Sequence, residues 1–506
     1  MTQAQLYSDR LKALHPGKEV MLYPVSFVDV DGGMLALARI DAAKRLVIAA
    51  RDDLGFETDE RLPGDPPLKL GPVSPHNADR LRQLCPWTAP RPVGLETSFG
   101  AGDRLGLATP GHIRALSGYD IVPVLAQQSI REMTRTGRTA QQVMDDVTWA
   151  VLQEGYRCGF GSDADHLKTE GDIRSTVEAG YTGFTLDPSD HINNRARTLS
   201  DDEAARAWTQ LFETEQEAAG FLRRYCGSVH EVKSAGGTLK LEIGEIELHR
   251  LAVELLPAIR HTIHGYRLIK SLKGDEPFDF EMSVDETESP TTAKAHYLVA
   301  SELGRAGVRL TALAPRFVGE FQKAIDYIGD LSAFRGQMRD HVILAHHFGP
   351  YKLSVHSGSD KYSIFPIVAE ESGGLYHEKT AGTSYLEALR VVCRTDAALF
   401  REIARFALEK FEGERHSYHV TTDLTRVPDP DRLDDDGLES MLDLDDSRQV
   451  LHITFGATLT SKSHDGNYRF RDRIFELLGR HEEEYIRVLV VLFRRHLDAF
   501  GVKKSL

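Results

Sequence analysis

Tyr156-Arg-Cys-Gly-Phe-Gly-Ser-Asp-Ala-Asp-His-Leu-Lys-Thr169 decides how the rest of the chain is read. It starts like a buried strand, breaks at Gly159 and Gly161, and then sets Asp163, Asp165, His166 and Lys168 within six positions. In α/β proteins, side chains from distant parts of the chain converge on a ligand at the carboxyl ends of strands. An adjacent Asp-His pair there offers an imidazole to a divalent metal and a carboxylate to a proton-transfer step. The competing reading is a helix start, with Asp163 or Asp165 as the cap and His166 merely exposed. Taken alone, the stretch slightly favours the cap. Several later strands that end in the same way reverse that balance.

Outward from this stretch, a strand, polar tip and helix texture repeats from Thr97 onward. Leu105–Thr109 runs into Pro110-Gly-His112, and Ile121–Leu125 into Gln127-Gln128-Ser129, with a helix from about Thr139 to Glu154. After the opening stretch come Phe184–Leu186, Phe278–Val284, Arg309–Leu313, Lys352–Val355 and Gly374–His377, each with a polar tip. A long helical region from Asp201 to about Lys270, interrupted near Lys233–Lys240, separates the fourth unit from the fifth. Strands alternating with helices imply a parallel sheet, and eight such units predict a closed α/β barrel of the (β/α)8 type. A doubly wound open sheet is the alternative architecture. No G-x-G-x-x-G follows an early strand, so a dinucleotide fingerprint is missing.

The flanks read differently. Residues 1–95 predict a small α/β region with short strands at Val20–Val30, Met34–Ile40 and Arg45–Ala50, and 96–410 the barrel. Residues 411–506 predict an extension with a solvated acidic loop at 428–448, a strand at Gln449–Phe455 and an amphipathic helix at Phe475–Phe500. The chain of 506 residues is 41% hydrophobic, enough for a large core, and its net charge of −15 speaks against nucleic acid or an anionic membrane as partner. The four cysteines are scattered with no CxxC, which fits a reducing compartment. With no apolar signal segment at the N-terminus, the expectation is a cytoplasmic enzyme.

The tips collect metal and acid–base groups: Asp165 and His166, then Asp187, Asp190 and His191, then Glu281, Asp285 and Glu286, then Arg316, His356, Lys361, His377 and Lys379. Metal-assisted chemistry on a polyhydroxy carbonyl compound needs such a set, with two or three N/O ligands that leave positions open for substrate oxygens. A lone His near a strand end is more often structural than ligating, and His346-His347 is left in that class. His166 and His356 are assigned to a site because each sits at a strand end beside Gly and Asp. Glu281, acidic inside a buried strand, needs a partner: a metal, or a salt bridge to a neighbouring strand.

Several strings resemble a family: Thr97-Ser-Phe-Gly-Ala-Gly-Asp-Arg-Leu-Gly-Leu-Ala-Thr-Pro-Gly-His112, Gln127-Gln-Ser-Ile-Arg131 and Asp163-Ala-Asp-His-Leu-Lys168. Ser283-Val-Asp-Glu-Thr287, Ala314-Pro-Arg-Phe317, Ser354-Val-His-Ser-Gly-Ser-Asp-Lys361 and Lys379-Thr-Ala-Gly-Thr383 belong with them. Over about residues 95–410 the chain resembles the tagaturonate epimerase family. The resemblance implies a metal-dependent enzyme that interconverts D-tagaturonate and D-fructuronate, with relatives that act on the ketohexoses tagatose and fructose at C4. Asp165-His166 and Val355-His-Ser-Gly-Ser359 are also similar to the Asp-His pair and His-Gly-Gly-Ser turn of class II fructose-bisphosphate aldolases, with Ser357 in place of the first glycine.

The two resemblances meet in one chemistry. The inverted carbon lies β to the keto group, so enolisation does not reach it, whereas a carbinol at that position is the bond pattern of a retro-aldol step. The expected site has His166, Glu281 and His356 on a divalent metal (zinc, manganese, nickel or iron) and Asp165 as acid/base, with Glu286 as a second. Gln128, Lys168, Arg316, Lys361 and Lys379 are expected to bind substrate, a ketouronate or ketohexose. An aldolase or lyase that releases its fragments, and a non-catalytic sugar-acid-binding barrel, are the alternatives. A homo-oligomer is compatible with the C-terminal helix.

Overall fold

The computed structural model describes residues 3–234, 236–380 and 382–505. Met1, Thr2, Ala235, Ala381 and Leu506 lie outside them, and with them the first two residues of the N-terminal reading and one residue of the 379–383 run. Near the N-terminus, β1 (Val20–Leu22), β2 (Val28–Val30), β3 (Gly33–Ile40), β4 (Ala43–Ala50), β5 (Glu60–Leu62) and β6 (Leu68–Pro72) form an antiparallel sheet in the order β1-β3-β4-β6-β5, with β2 on β3. One face, with Leu35, Leu37, Leu46 and Ile48, packs on the helix Pro75–Leu84 and on Trp149 and Leu152 of the barrel.

The barrel expectation holds. β7 (Ser98–Ala101), β8 (Val122–Ser129), β9 (Gly161–Leu167) and β10 (Gly183–Leu186) are followed by a hairpin, β11 (Val229–Ser234) and β12 (Gly237–Glu242). Then come β13 (Asp279–Val284), β14 (Ala312–Pro315), β15 (Lys352–Val355) and β16 (Tyr376–Thr380). The eight barrel strands close as β10-β13-β14-β15-β16-β7-β8-β9, all parallel. Helices on the outside bury the outward residues, as in Ala140–Gln153, which starts on a reciprocal Thr139–Gln142 capping box. The hairpin interrupts the long helical region where the sequence does, ahead of the 29-residue helix Glu245–Lys273.

Three local readings are corrected. The first barrel strand is Ser98–Ala101; of the predicted strand Leu105–Thr109, residues 105–108 are a loop and Thr109 opens a helix. The buried Asp103 carboxylate accepts backbone N–H groups from Leu105 (3.1 Å), Gly106 (2.8 Å), Ala108 (2.7 Å) and Thr109 (3.1 Å). That folds the segment into a cap for the helix Thr109–Leu116. Gln449–Phe455 is no strand: Asp445–Ile453 is a helix buried at Gln449, Val450, Leu451, His452 and Ile453. A short apolar run covered on most sides has no period that tells helix from strand. The acidic run is not merely a solvated loop, since Asp435–Leu438 and Glu439–Leu442 are short helices that bury Leu438, Met441 and Leu442. Arg390 pairs with Glu439 and Asp443, and Arg401 with Asp435.

At the C-terminus the amphipathic segment is two helices, Arg471–Arg480 and Glu482–Phe500. The last one lies on the barrel wall: Phe493 meets Phe99 of β7 at 5.5 Å and Phe500 stacks on Tyr376 of β16 at 4.9 Å. Gly111 lets it approach, because a Cβ there would stand 2.7 Å from Leu489.

Candidate active site

Asp163, Asp165 and His166 of the opening stretch lie within a strand, and Lys168 just after it. β9 begins at Gly161, so Asp163 and Asp165 alternate into the barrel interior, and the following helix is capped by Thr169 instead. Strict alternation would send His166 to the outside. It does not, because the β9–β10 pairing slips between Phe184↔Ala164 and Leu186↔Leu167, with three β9 residues against two of β10. His166 takes up the extra residue with φ +55°, and the bulge turns both Asp165 and His166 toward the same mouth.

Lys379 of β16 reaches across the barrel to the same place. Its Nζ lies 2.7 Å from Asp163 Oδ2, 2.9 Å from Asp165 Oδ1 and 3.0 Å from Glu281 Oε1, and donates to Thr185 Oγ1 at 2.7 Å. Glu281 thus has the salt bridge that its buried position required. Burial works against all these charges. The surrounding cations outweigh it for Asp165 and Glu281, whose carboxyls are held well below the usual range. Three carboxylates outweigh it for Lys379, which is raised well above an ordinary lysine.

His166 and His356 face each other here, with ring centroids 5.0 Å apart. Each donates one ring N–H to a carboxylate behind it. His166 Nδ1 is 3.2 Å from Asp187 Oδ2, and His356 Nε2 is 2.6 Å from Glu281 Oε1. That leaves Nε2 of His166, 3.8 Å from Asp165 Oδ2. It also leaves the buried Nδ1 of His356, 3.3 Å from Asp285 Oδ2 and outside hydrogen-bond geometry. Burial lowers the pKa of both rings. Asp165, Asp187 and Asp285 overcome it at His166, pushed up to about 10, and Asp285 and Glu281 at His356, pushed up to about 9. A place that stabilises two imidazolium charges calls for positive charge. The donor chemistry fits a divalent cation: Asp165, His166 and His356 offer ligand atoms all within 4.8 Å of one another, as do His166, Asp187 and Glu286.

Comparison with known proteins places the chain in a family. The family model for tagaturonate epimerase matches residues 23–500. The chain belongs to the tagaturonate epimerase family. It is 40% identical over 487 residues to the tagaturonate/fructuronate epimerase of Thermotoga maritima, covering 96% of this chain and 98% of that protein. Its fold is similar to crystal structures of the fructuronate-tagaturonate epimerase of Cohnella laeviribosi, native and with one glycerol. The TM-score is 0.91 at 39% identity for both, covering 99% of this chain and 100% of theirs. The chain is an isomerase-class enzyme.

In this family member, the other residues singled out from sequence divide clearly. Asp165, His166, Glu286, His356 and Lys379 line one cleft at the barrel mouth. Glu281 sits one layer deeper, beneath His356 and Lys379. Arg316 lines an adjoining cleft and donates to the Thr287 carbonyl. Gln128 turns to Glu132 at 2.7 Å, and it is Gln127 whose amide reaches the site, 3.4 Å from Asp165. Lys168 pairs with Asp190 at 2.9 Å and stands behind Asp187 at 3.7 Å. Lys361 is buried, with its ammonium donating to the carbonyls of Gln322 (2.7 Å), Ile325 (2.5 Å) and Ser359 (3.2 Å), so it has no donor left for substrate.

Residues that sequence reasoning passed over complete the wall. Arg131 holds Glu286 at 2.5 Å, Arg104 pairs with Glu132 at 2.8 Å, and Tyr418 and His452 reach in from the C-terminal segment. Ser357 has φ +52°, a conformation in which glycine is unstrained, and its hydroxyl accepts from Lys323. This accounts for a serine at a position that resembles a glycine turn. The next residue has no such latitude. A Cβ on Gly358 would lie 1.5 Å from Glu378 Oε1. Gly358→Ala is therefore expected to displace the turn that carries His356 and to lower kcat about a hundredfold. Steady-state kinetics beside a thermal unfolding scan checks this.

Proposed function

We propose that this cleft binds a ketouronate and interconverts D-tagaturonate and D-fructuronate by inverting C4 through cleavage and re-formation of the C3–C4 bond. The observation that carries the reading is the convergence of Asp165, His166 and His356 from β9 and β15 on one mouth, above the carboxylates grouped around Lys379. Asp165, His166 and His356 would hold a divalent metal, which when bound supplies Lewis-acid polarisation of the substrate's oxygens. Glu281 and Asp187 then serve by fixing the two rings through their N–H groups. The relatives' names, which describe epimerases of these two sugar acids, support the substrate class.

Glu286 is the carboxylate left for proton transfer. Its Oε1 is held by Arg131 at 2.5 Å, so Oε2 is the atom that takes the proton from the C4 hydroxyl. The C3–C4 electron pair then moves into C2=C3 as an enediolate, and C4 becomes an aldehyde. The aldehyde fragment turns its other face, the bond re-forms, and Glu286 returns the proton to the C4 oxygen. Tyr418 and His452 enclose the cleft and keep the fragments from leaving.

The test is to measure bound divalent metal on the purified protein and to incubate it with D-fructuronate and with D-fructose. Metal-bound protein that forms tagaturonate without trappable fragments supports the reading. Accumulating fragments point to an aldolase, and neither metal nor turnover points to a binding barrel.

A further inference from the structure

The cations around the two clefts differ in what they already hold. Lys379 meets three carboxylates, Arg131 meets Glu286 and Arg104 meets Glu132, while Arg316, which lines only the adjoining cleft, gives its guanidinium to the Thr287 carbonyl. Lys323 lines both clefts, and among the described residues its ammonium has no carboxylate partner. Among those residues its ammonium donates to the Ser357 hydroxyl. Burial lowers its pKa and Arg131 adds to the effect, with Glu132, Glu286 and Asp285 offsetting the two only in part. A desolvated ammonium next to a guanidinium is a place where an anion is missing. Its position suits the substrate: the ammonium is held by Ser357, the residue directly after His356 of the proposed reacting centre, and it lines the same cleft as His356.

We infer that Lys323, oriented by Ser357, binds the carboxylate of the ketouronate and is the residue that sets an acid sugar apart from a neutral hexulose. This rests on the ketouronate reading above. A neutral hexulose brings a hydroxyl to the same spot, where it gains an ordinary hydrogen bond in place of a charge-assisted one. Lys323 is a specificity residue in this scheme and takes no part in the bond cleavage.

The experiment is calorimetric binding of D-fructuronate and of D-fructose to the full chain, as wild type, Lys323→Met and Lys323→Arg. The methionine variant is expected to lose about ten- to hundredfold in fructuronate affinity, with fructose affinity changed less than about threefold. The arginine variant is expected to keep most of the affinity. Raising chloride on the wild type should weaken fructuronate binding and spare fructose, a readout that needs no folded variant. Unchanged fructuronate affinity in Lys323→Met, an equal loss for both sugars, or salt-independent binding would overturn the inference. Wild type that binds fructuronate through Lys323 but never epimerises it would overturn the proposed reaction and leave the subsite standing. Wild type that epimerises with Lys323 irrelevant would do the reverse.

Discussion

Lys379→Met is expected to abolish turnover and to destabilise the fold by about 3–5 kcal/mol at neutral pH, because removing one partner of a buried ionic cluster leaves the others uncompensated. Asp163, Asp165 and Glu281 all lie within 3.0 Å of its ammonium. The pH dependence gives the cost a sign. In the wild type, Asp165 and Glu281 are depressed below their unfolded values, so their stabilisation is present above the ordinary carboxyl pKa of about 4 and is lost progressively as pH falls from there through their folded values. Without the ammonium, burial and mutual repulsion raise the same carboxyls. The folded variant then binds protons more tightly than its unfolded chain and gains stability as pH falls. The penalty should therefore shrink from pH 8 to pH 5, as read by thermal unfolding midpoints of both proteins across that range. A penalty that stays constant, or grows on acidification, would show that Lys379 does not neutralise this cluster.

His166→Ala is the second large effect. It removes one of the two imidazoles that face each other at 5.0 Å, and bound metal is expected to fall from about one ion per chain to under about a tenth, with turnover down about a thousandfold or more. Elemental analysis and kinetics on the same preparations check both. In the metal-free protein His166 holds its proton up to about 10 and His356 up to about 9, so a metal must displace protons. Metal affinity should accordingly rise between pH 6 and pH 9 in the wild type. A His166→Ala protein that keeps metal and activity would remove this residue from the ligand set.

The barrel was legible in the alternation of apolar runs, polar tips and helices, since burial of a parallel sheet imposes that rhythm. Its first strand was not, because Leu105–Thr109 is apolar for a different reason: it is folded over Asp103 as a loop that runs into a helix. The sequence marks Asp165 and Lys379 as site residues but places them beyond strands that in fact contain them, and it leaves Asp163 out of the site altogether. Polar residues inside a barrel strand look like the end of the strand unless a cation from across the barrel is known to meet them. Gln128 was singled out where Gln127 points inward, a difference of one residue that strand parity makes decisive. The bulge that turns His166 into the cleft, the carbonyls that enclose Lys361, and the entry of Tyr418 and His452 are all tertiary facts. No local pattern announces them. Lys323 lies in an irregular segment ahead of the helix Leu331–Phe348, where neither period nor cap draws attention to it.

Inversion of C4 by breaking a carbon–carbon bond is the step on which the proposed enzyme reaction rests, and it can be measured. The direct measurement is kcat/KM for D-fructuronate carrying deuterium at C4, compared with the unlabelled sugar. Cleavage between C3 and C4 leaves the C4–H bond intact, which predicts a ratio near one and no solvent hydrogen incorporated at C4. A large primary isotope effect at C4 would mean that this hydrogen is removed in the reaction, and would contradict the account.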